Sequence, residues 1–113
     1  MEEQIEINGE IYVKKPNNEG LEYVICRTYS AGVFAGFLIK REGKEVVLKE
    51  ARRIWYWKGA ASLSQLAVEG VTCPDECKFA MPVENVLLLE AIEILSVTSK
   101  AKKCIMEVPI WKK

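Results

Sequence analysis

Histidine is absent from this 113-residue chain. Its absence removes the usual general base near neutral pH, and with it Ser-His-Asp and Cys-His machinery and nearly all common catalytic zinc sites. No G-x-x-x-x-G-K-[ST] or G-x-G-x-x-G loop occurs, so a glycine-rich phosphate cradle is unsupported. The acidic residues show no D-x-D or E-x-x-H spacing for a metal. Neither sign of charge is in excess, because 16 Lys and Arg balance 16 Asp and Glu. A neutral chain lacks the basic surplus of a dedicated DNA-backbone binder, so no nucleic-acid partner is expected. No run approaches the roughly 20 apolar residues that span a bilayer. The acidic opening Met1-Glu2-Glu3 is unlike a signal peptide, and the expected location is the cytoplasm, with no membrane partner.

Cysteine is sparse: Cys26, Cys73, Cys77 and Cys104. In a cytoplasmic chain these read as reduced thiols rather than a disulfide framework. Cys73-Pro74-Asp75-Glu76-Cys77 has one residue too many for the redox C-x-x-C pattern. A four-cysteine zinc site is formally open, but Cys26 and Cys104 stand singly in elements that read as strand and helix. Neither metal nor cofactor is expected, and no catalytic residue set emerges.

What the chain does have is concentrated in residues 44–70. Glu45-Val46-Val47-Leu48-Lys49 alternates as a half-buried strand. Arg52 and Arg53 lead into Ile54-Trp55-Tyr56-Trp57, residues that suit a pleated, partly buried surface. Gly59 breaks the strand. Ser62 is a helix N-cap for residues 63–69, and Gly70 suits the left-handed position past the helix end. Two guanidiniums beside three large rings suggest a surface for flat, anionic ligands. The equally weighted alternative makes the rings core or subunit interface and the arginines a solvated rim.

One domain covers residues 1–113, with half of its residues hydrophobic. Gln4-Ile5-Glu6-Ile7 and Ile11-Tyr12-Val13-Lys14 alternate around Asn8-Gly9, a hairpin signal. Residues 15–20 read as loop, residues 23–29 and 33–40 as strands, and Arg41-Glu42-Gly43-Lys44 as the next turn. With residues 45–57 these form an antiparallel meander. Gly36 within a strand implies a bulge or a close backbone approach. Residues 71–82 read as loop with a turn at Cys73-Pro74-Asp75-Glu76. Residues 86–95 are apolar enough for one central strand or a buried helix, and strand is preferred because they run into a cap at Thr98. A second helix then covers residues 99–106 and ends before Pro109, with Ile110-Trp111 as a last edge strand. The expected fold is α+β: an antiparallel sheet, opened by a hairpin, with two short helices.

For binding, Arg27 lies mid-strand between Cys26 and Thr28, where it either reaches a partner or simply faces outward from a half-exposed sheet. Phe79 follows Lys78 in a loop and either stacks on a base or plugs the core edge. Lys100, Lys102 and Lys103 give the second helix a basic face, ordinarily just solvated.

The text Val24 through Gly36 (VICRTYSAGVFAG), residues 44–70, Cys77-Lys78-Phe79 and residues 90–94 through 108–111 resembles a family of small phage and prophage proteins of unknown function. The resemblance implies a family that includes the Thoeris anti-defence sponge proteins. The resemblance implies an oligomeric non-enzyme, dimer-based and up to a hexamer, in the host cytoplasm. Its partner would be a cyclic ADP-ribose isomer made by TIR immune proteins, sequestered without degradation. Members similar to these also hold cyclic di- or trinucleotides at a separate site, making cyclic oligonucleotides a second expected ligand. Carried over by position, the expected ligand-binding residues are Arg27, Arg52, Arg53 and Phe79. Lys102 or Lys103, with Lys103 taken as the candidate, stands where the family pattern expects a C-terminal arginine. The rival reading is an interaction module that binds a host protein through Trp55 and Trp57.

Overall fold

The computed structural model describes residues 4–7, 10–13 and 20–112, the first two segments as backbone. Strands β1 (Gln4–Ile7) and β2 (Glu10–Val13) pair antiparallel from Gln4 with Val13 to Ile7 with Glu10, the hairpin its sequence predicts. The expected loop at residues 15–20 falls, apart from Gly20, outside the described residues.

Strands β3 (Glu22–Thr28), β4 (Val33–Glu42) and β5 (Glu45–Tyr56) form the expected meander. β4 runs two residues further than its pattern suggests, leaving only Gly43 and Lys44 for the turn between β4 and β5. After β5 comes α1 (Leu63–Glu69), then a 3-10 turn (Pro74–Glu76) and a two-residue strand, β6 (Lys78–Phe79). That strand lies inside the stretch read as loop. The apolar run at residues 86–95 is two strands, β7 (Val83–Leu88) and β8 (Ala91–Ser96), a correction to the single central strand. The chain ends with α2 (Ser99–Glu107), and Ile110 makes one parallel bridge to Phe79 in place of an edge strand.

All six strands from β3 to β8 belong to one sheet, in the order β6-β5-β4-β3-β8, with β7 beside β6 along the free side of β5. Only Leu89 and Glu90 separate β7 from β8, yet these strands flank opposite sides of the β5-β4-β3 meander. The sheet must therefore coil until its two edges approach. Hydrogen bonds from Tyr29 N to Glu90 O (2.9 Å) and from Ala91 N to Lys44 O (3.0 Å) close that corner.

Coiling buries both faces of β3, and the core divides in two. On one side Tyr23, Ile25, Ala35, Phe37, Ile54 and Phe79 pack under Leu66, Ala67 and Ile105 of the helices. On the other, Val24, Cys26, Phe34, Val46, Leu48, Ala51 and Leu88 fill the inside of the curl.

The helices begin where their caps predict. Ser62 Oγ accepts from Gln65 N at 3.1 Å, while Gln65 Oε1 accepts from Ala61 N at 2.7 Å. Thr98 Oγ1 accepts from Ala101 N at 3.1 Å and donates to Val68 O at 2.7 Å, so one hydroxyl starts α2 and satisfies the end of α1. Gly70 closes α1 at φ 80°, a conformation costly for any residue with a Cβ. No helix among the described residues is long and apolar enough to cross a membrane.

Candidate functional site

The site is shaped by a bulge in β5. Glu50 takes φ 53°, and the pairing to β4 slips between Ala35–Arg52 and Phe37–Lys49. Gly36 sits opposite, where an added Cβ would meet Ala51 Cα at 3.1 Å and Lys49 O at 3.1 Å. The close approach expected of Gly36 is this contact. One extra residue reverses which positions point to which face. Before the bulge Val46 and Leu48 enter the curl; after it Arg52 and Ile54 point under the helices, and Arg53 points away from them.

The two adjacent arginines thus lead separate lives. Arg52 is 2% exposed. Its Nε donates to Ala80 O at 2.9 Å, Nη1 to Ile105 O at 2.8 Å and Val108 O at 2.9 Å, and Nη2 to Phe79 O at 3.1 Å. A cation aimed at carbonyls where a helix ends is favourable twice, through the hydrogen bonds and through the helix dipole. Burial pulls the Arg52 pKa down, and the neighbouring Tyr23 opposes that shift. With four of five N–H groups committed to backbone, Arg52 is a bolt joining β5, β6 and α2, not a group free to hold a phosphate.

Phe79 is fully buried beneath that guanidinium, 5.5 Å from its ring centre. The core-plug alternative for Phe79 is what the structure displays, since no face of the ring is open to a base.

Arg27 is exposed and pairs with Glu93 on β8, Nε to Oε1 at 2.9 Å, the outward-facing arrangement weighed from strand alternation. Beside it Ser30 donates to Glu90 at 2.8 Å. Arg27 shares a cross-strand row with Val33 and Ile54, whereas Arg53 shares one with Phe34 and Cys26. These rows face opposite sides of the sheet. One ligand cannot touch both within a single chain.

Lys103 is exposed on α2, in an open groove of about 380 Å³ that also includes Lys100, Asp75, Glu107 and Cys104. The charges there are mixed, two of each sign. Lys102, the other candidate, sets its ammonium 5.8 Å from the Phe37 ring. A second groove of about 300 Å³ runs beside the β4–β5 turn, lined by Arg41, Lys44, Ile92 and Glu93 among others. Of the five expected ligand residues, the only pair in contact is Arg52 with Phe79, and that contact is core.

Arg53 remains. Its guanidinium lies 4.7 Å from the Phe34 ring and 5.6 Å from the Trp55 ring. Nε is buried without a hydrogen-bond partner, and no carboxylate pairs with the side chain among the described residues. The Trp55 ring is 60% exposed. Trp57, by contrast, packs half-buried against the helix-side core, so the two tryptophans of the rival reading do not form one surface. Phe34 and Trp55 are the site residues that position alone could not assign, because their approach to Arg53 depends on the bulge and the strand register.

The thiols are all free. Cys77 is buried, which pushes its pKa up, and its Sγ accepts a hydrogen bond from Lys58 N at 3.4 Å. Among the described residues no three His, Cys, Asp or Glu side chains stand close enough to hold a metal ion.

No curated protein and no solved structure matches the chain. A family model described as a domain of unknown function (DUF6948) matches residues 21–105.

Proposed function

We propose that this chain, which belongs to the DUF6948 family of domains of unknown function, binds a nucleotide-like anion without turning it over. The observation that carries this reading is Arg53: a guanidinium held between Phe34 and Trp55, with a buried, unpartnered Nε and an exposed indole beside it. Stacking on Phe34 fixes the guanidinium plane before any ligand arrives, which lowers the ordering cost of binding. A phosphate would accept from the accessible part of the half-buried guanidinium rather than from its buried Nε, and the open Trp55 face supplies a stacking surface for a purine. The resemblance to Thoeris anti-defence sponges makes a cyclic ADP-ribose isomer the first ligand to test and cyclic oligonucleotides the second. Sequestration needs slow release, and an open surface on one chain achieves that when a second subunit closes over it. Such a sponge would inhibit TIR-based immunity in the host cytoplasm by lowering free signal.

The test is calorimetric titration with cyclic ADP-ribose isomers, followed by heat denaturation and mass spectrometry of the released ligand. The expected result is binding with intact ligand returned; linear ADP-ribose in the supernatant would make the protein an enzyme. Arg53→Gln removes a charge-assisted bond of about 1.5–3 kcal/mol, roughly a ten- to hundredfold loss of affinity. Unchanged affinity in that variant would sink the assignment. Should no nucleotide bind, the exposed Trp55 ring favours the host-protein interaction module instead.

A further inference from the structure

Strand β6 sets a second cation beside Arg53. Ile54 pairs with Phe79, and both belong to the core under the helices. Their neighbours Arg53 and Lys78 therefore point to the opposite face. Ala80 N donates to Arg53 O at 2.9 Å, and one extra residue in β5 makes Trp55 and Tyr56 together oppose Lys78. On the far side of β6, Ile110 bridges to Phe79, and Trp111 N donates to Phe79 O at 2.9 Å. Lys78 Nζ then lies 5.4 Å from the centre of the Trp111 ring. One face thus carries, strand by strand, Phe34, Arg53 with Trp55, Lys78 and Trp111. Trp55 is 60% exposed and Trp111 43%. Neither Arg53 nor Lys78 pairs with a carboxylate among the described residues, and Glu76, two residues before Lys78, is held by Lys58 at 2.8 Å.

We propose that this face binds a linear single strand of nucleic acid, with successive bases stacked on Trp55 and Trp111 and the phosphates beside them on Arg53 and Lys78. The proposal rests on the reading of Arg53 as an anion contact and adds a second ring and a second cation to it. Trp55 and Trp111 stand on either side of β6, two strand spacings or about 9–10 Å apart at the backbone. That separation suits two bases with a phosphate between them, whereas a single nucleotide leaves one ring unused. Rings that alternate with cations are the pattern that holds single strands, because every base offers a flat face and every linkage a negative charge. The neutral net charge of the chain counts against a duplex binder, whose affinity comes from many phosphate contacts. It does not count against a strand held mainly by stacking, which needs only the local row of rings and unpaired cations. A duplex keeps its bases stacked on each other and so offers no face to either tryptophan.

Fluorescence anisotropy with a labelled oligodeoxyadenylate of about eight residues tests it, a length within the usual range of such sites. The strand should bind at least about tenfold more tightly than AMP, since two bases stack in place of one. The same strand annealed to its complement should bind far more weakly. The logarithm of affinity should fall with the logarithm of salt at a slope of about −1.4, or about 0.7 for each of two phosphates. Trp111→Ala should weaken strand binding about five- to a hundredfold, and Lys78→Gln should flatten the salt slope by about 0.7. Both residues are exposed, so circular dichroism should be unchanged. The cyclic ADP-ribose isomers of the titration above separate the two readings. Isomer binding without any strand binding overturns this inference and leaves Arg53 as a nucleotide contact. Strand binding that is no tighter than AMP overturns it as well, as does strand affinity that survives both Trp111→Ala and Lys78→Gln. Failure of isomers and strand alike removes both readings.

Discussion

Replacing Arg52 with alanine should be among the most destabilising single changes available in the chain. The variant removes four hydrogen bonds, but the four carbonyls do not suffer equally. Phe79 O still accepts from Trp111 N at 2.9 Å, and Ile105 O from Val108 N at 3.3 Å. Ala80 O and Val108 O have no second donor among the described hydrogen bonds and would be left without a partner. An unsatisfied buried polar group costs about 1–3 kcal/mol, so the pair accounts for about 2–6 kcal/mol. The cavity left over the Phe79 ring adds to that cost, and relief of guanidinium desolvation subtracts from it. A net loss of about 3–4 kcal/mol is expected, a large part of the stability of a domain this size. Urea unfolding followed by tryptophan fluorescence would measure it, with the midpoint falling and the slope unchanged. Arg52→Lys should recover only part, since three donors on one nitrogen cannot reach four separated carbonyls. A loss below about 1 kcal/mol for the alanine variant would refute the bolt and reopen Arg52 as a ligand residue.

The remaining expectations concern the sheet. Tyr23 carries a buried hydroxyl with no hydrogen-bond partner; Tyr23→Phe should therefore be neutral or stabilising by about 1 kcal/mol in chemical unfolding, and a loss of that size would reveal a partner. Burial pushes the Tyr23 phenol upward, Arg52 opposes and Glu50 adds. The unfolded chain thus loses this proton first, so the contribution is whole below the ordinary phenol pKa of about 10 and is lost as pH rises past it. Wild type should lose stability above that pH more steeply than Tyr23→Phe, and parallel curves would contradict the assignment. Gly36→Ala would press its methyl against Ala51 Cα, Lys49 O and Leu48 Cβ at 3.1–3.2 Å. It should cost about 1–3 kcal/mol by overpacking, read as a lower melting temperature; an unchanged value would mean that the bulge yields freely.

Local chemistry alone determined much of this protein. Asn8-Gly9 between two alternating segments, Ser62 and Gly70 around α1, and Thr98 before α2 each act through neighbours in sequence, so hairpin and helices were legible where they occur. The meander was equally legible, because alternation and turn residues lie along the strands themselves. The break at Leu89 and Glu90 was not, since the carbonyl and amide that end each strand are satisfied by Tyr29 and Lys44, distant in sequence. The fate of the arginines was decided in the same way. Strand alternation sends Arg52 and Arg53 to opposite faces, and the bulge at Glu50, with φ 53°, decides that Arg52 takes the core side and Arg53 the other. Sequence fixes which side chains can carry charge or stack. Strand register, which depends on pairing between distant segments, decides which of them meet, and here it replaced Phe79 with Phe34 and Trp55 as the rings beside a free guanidinium.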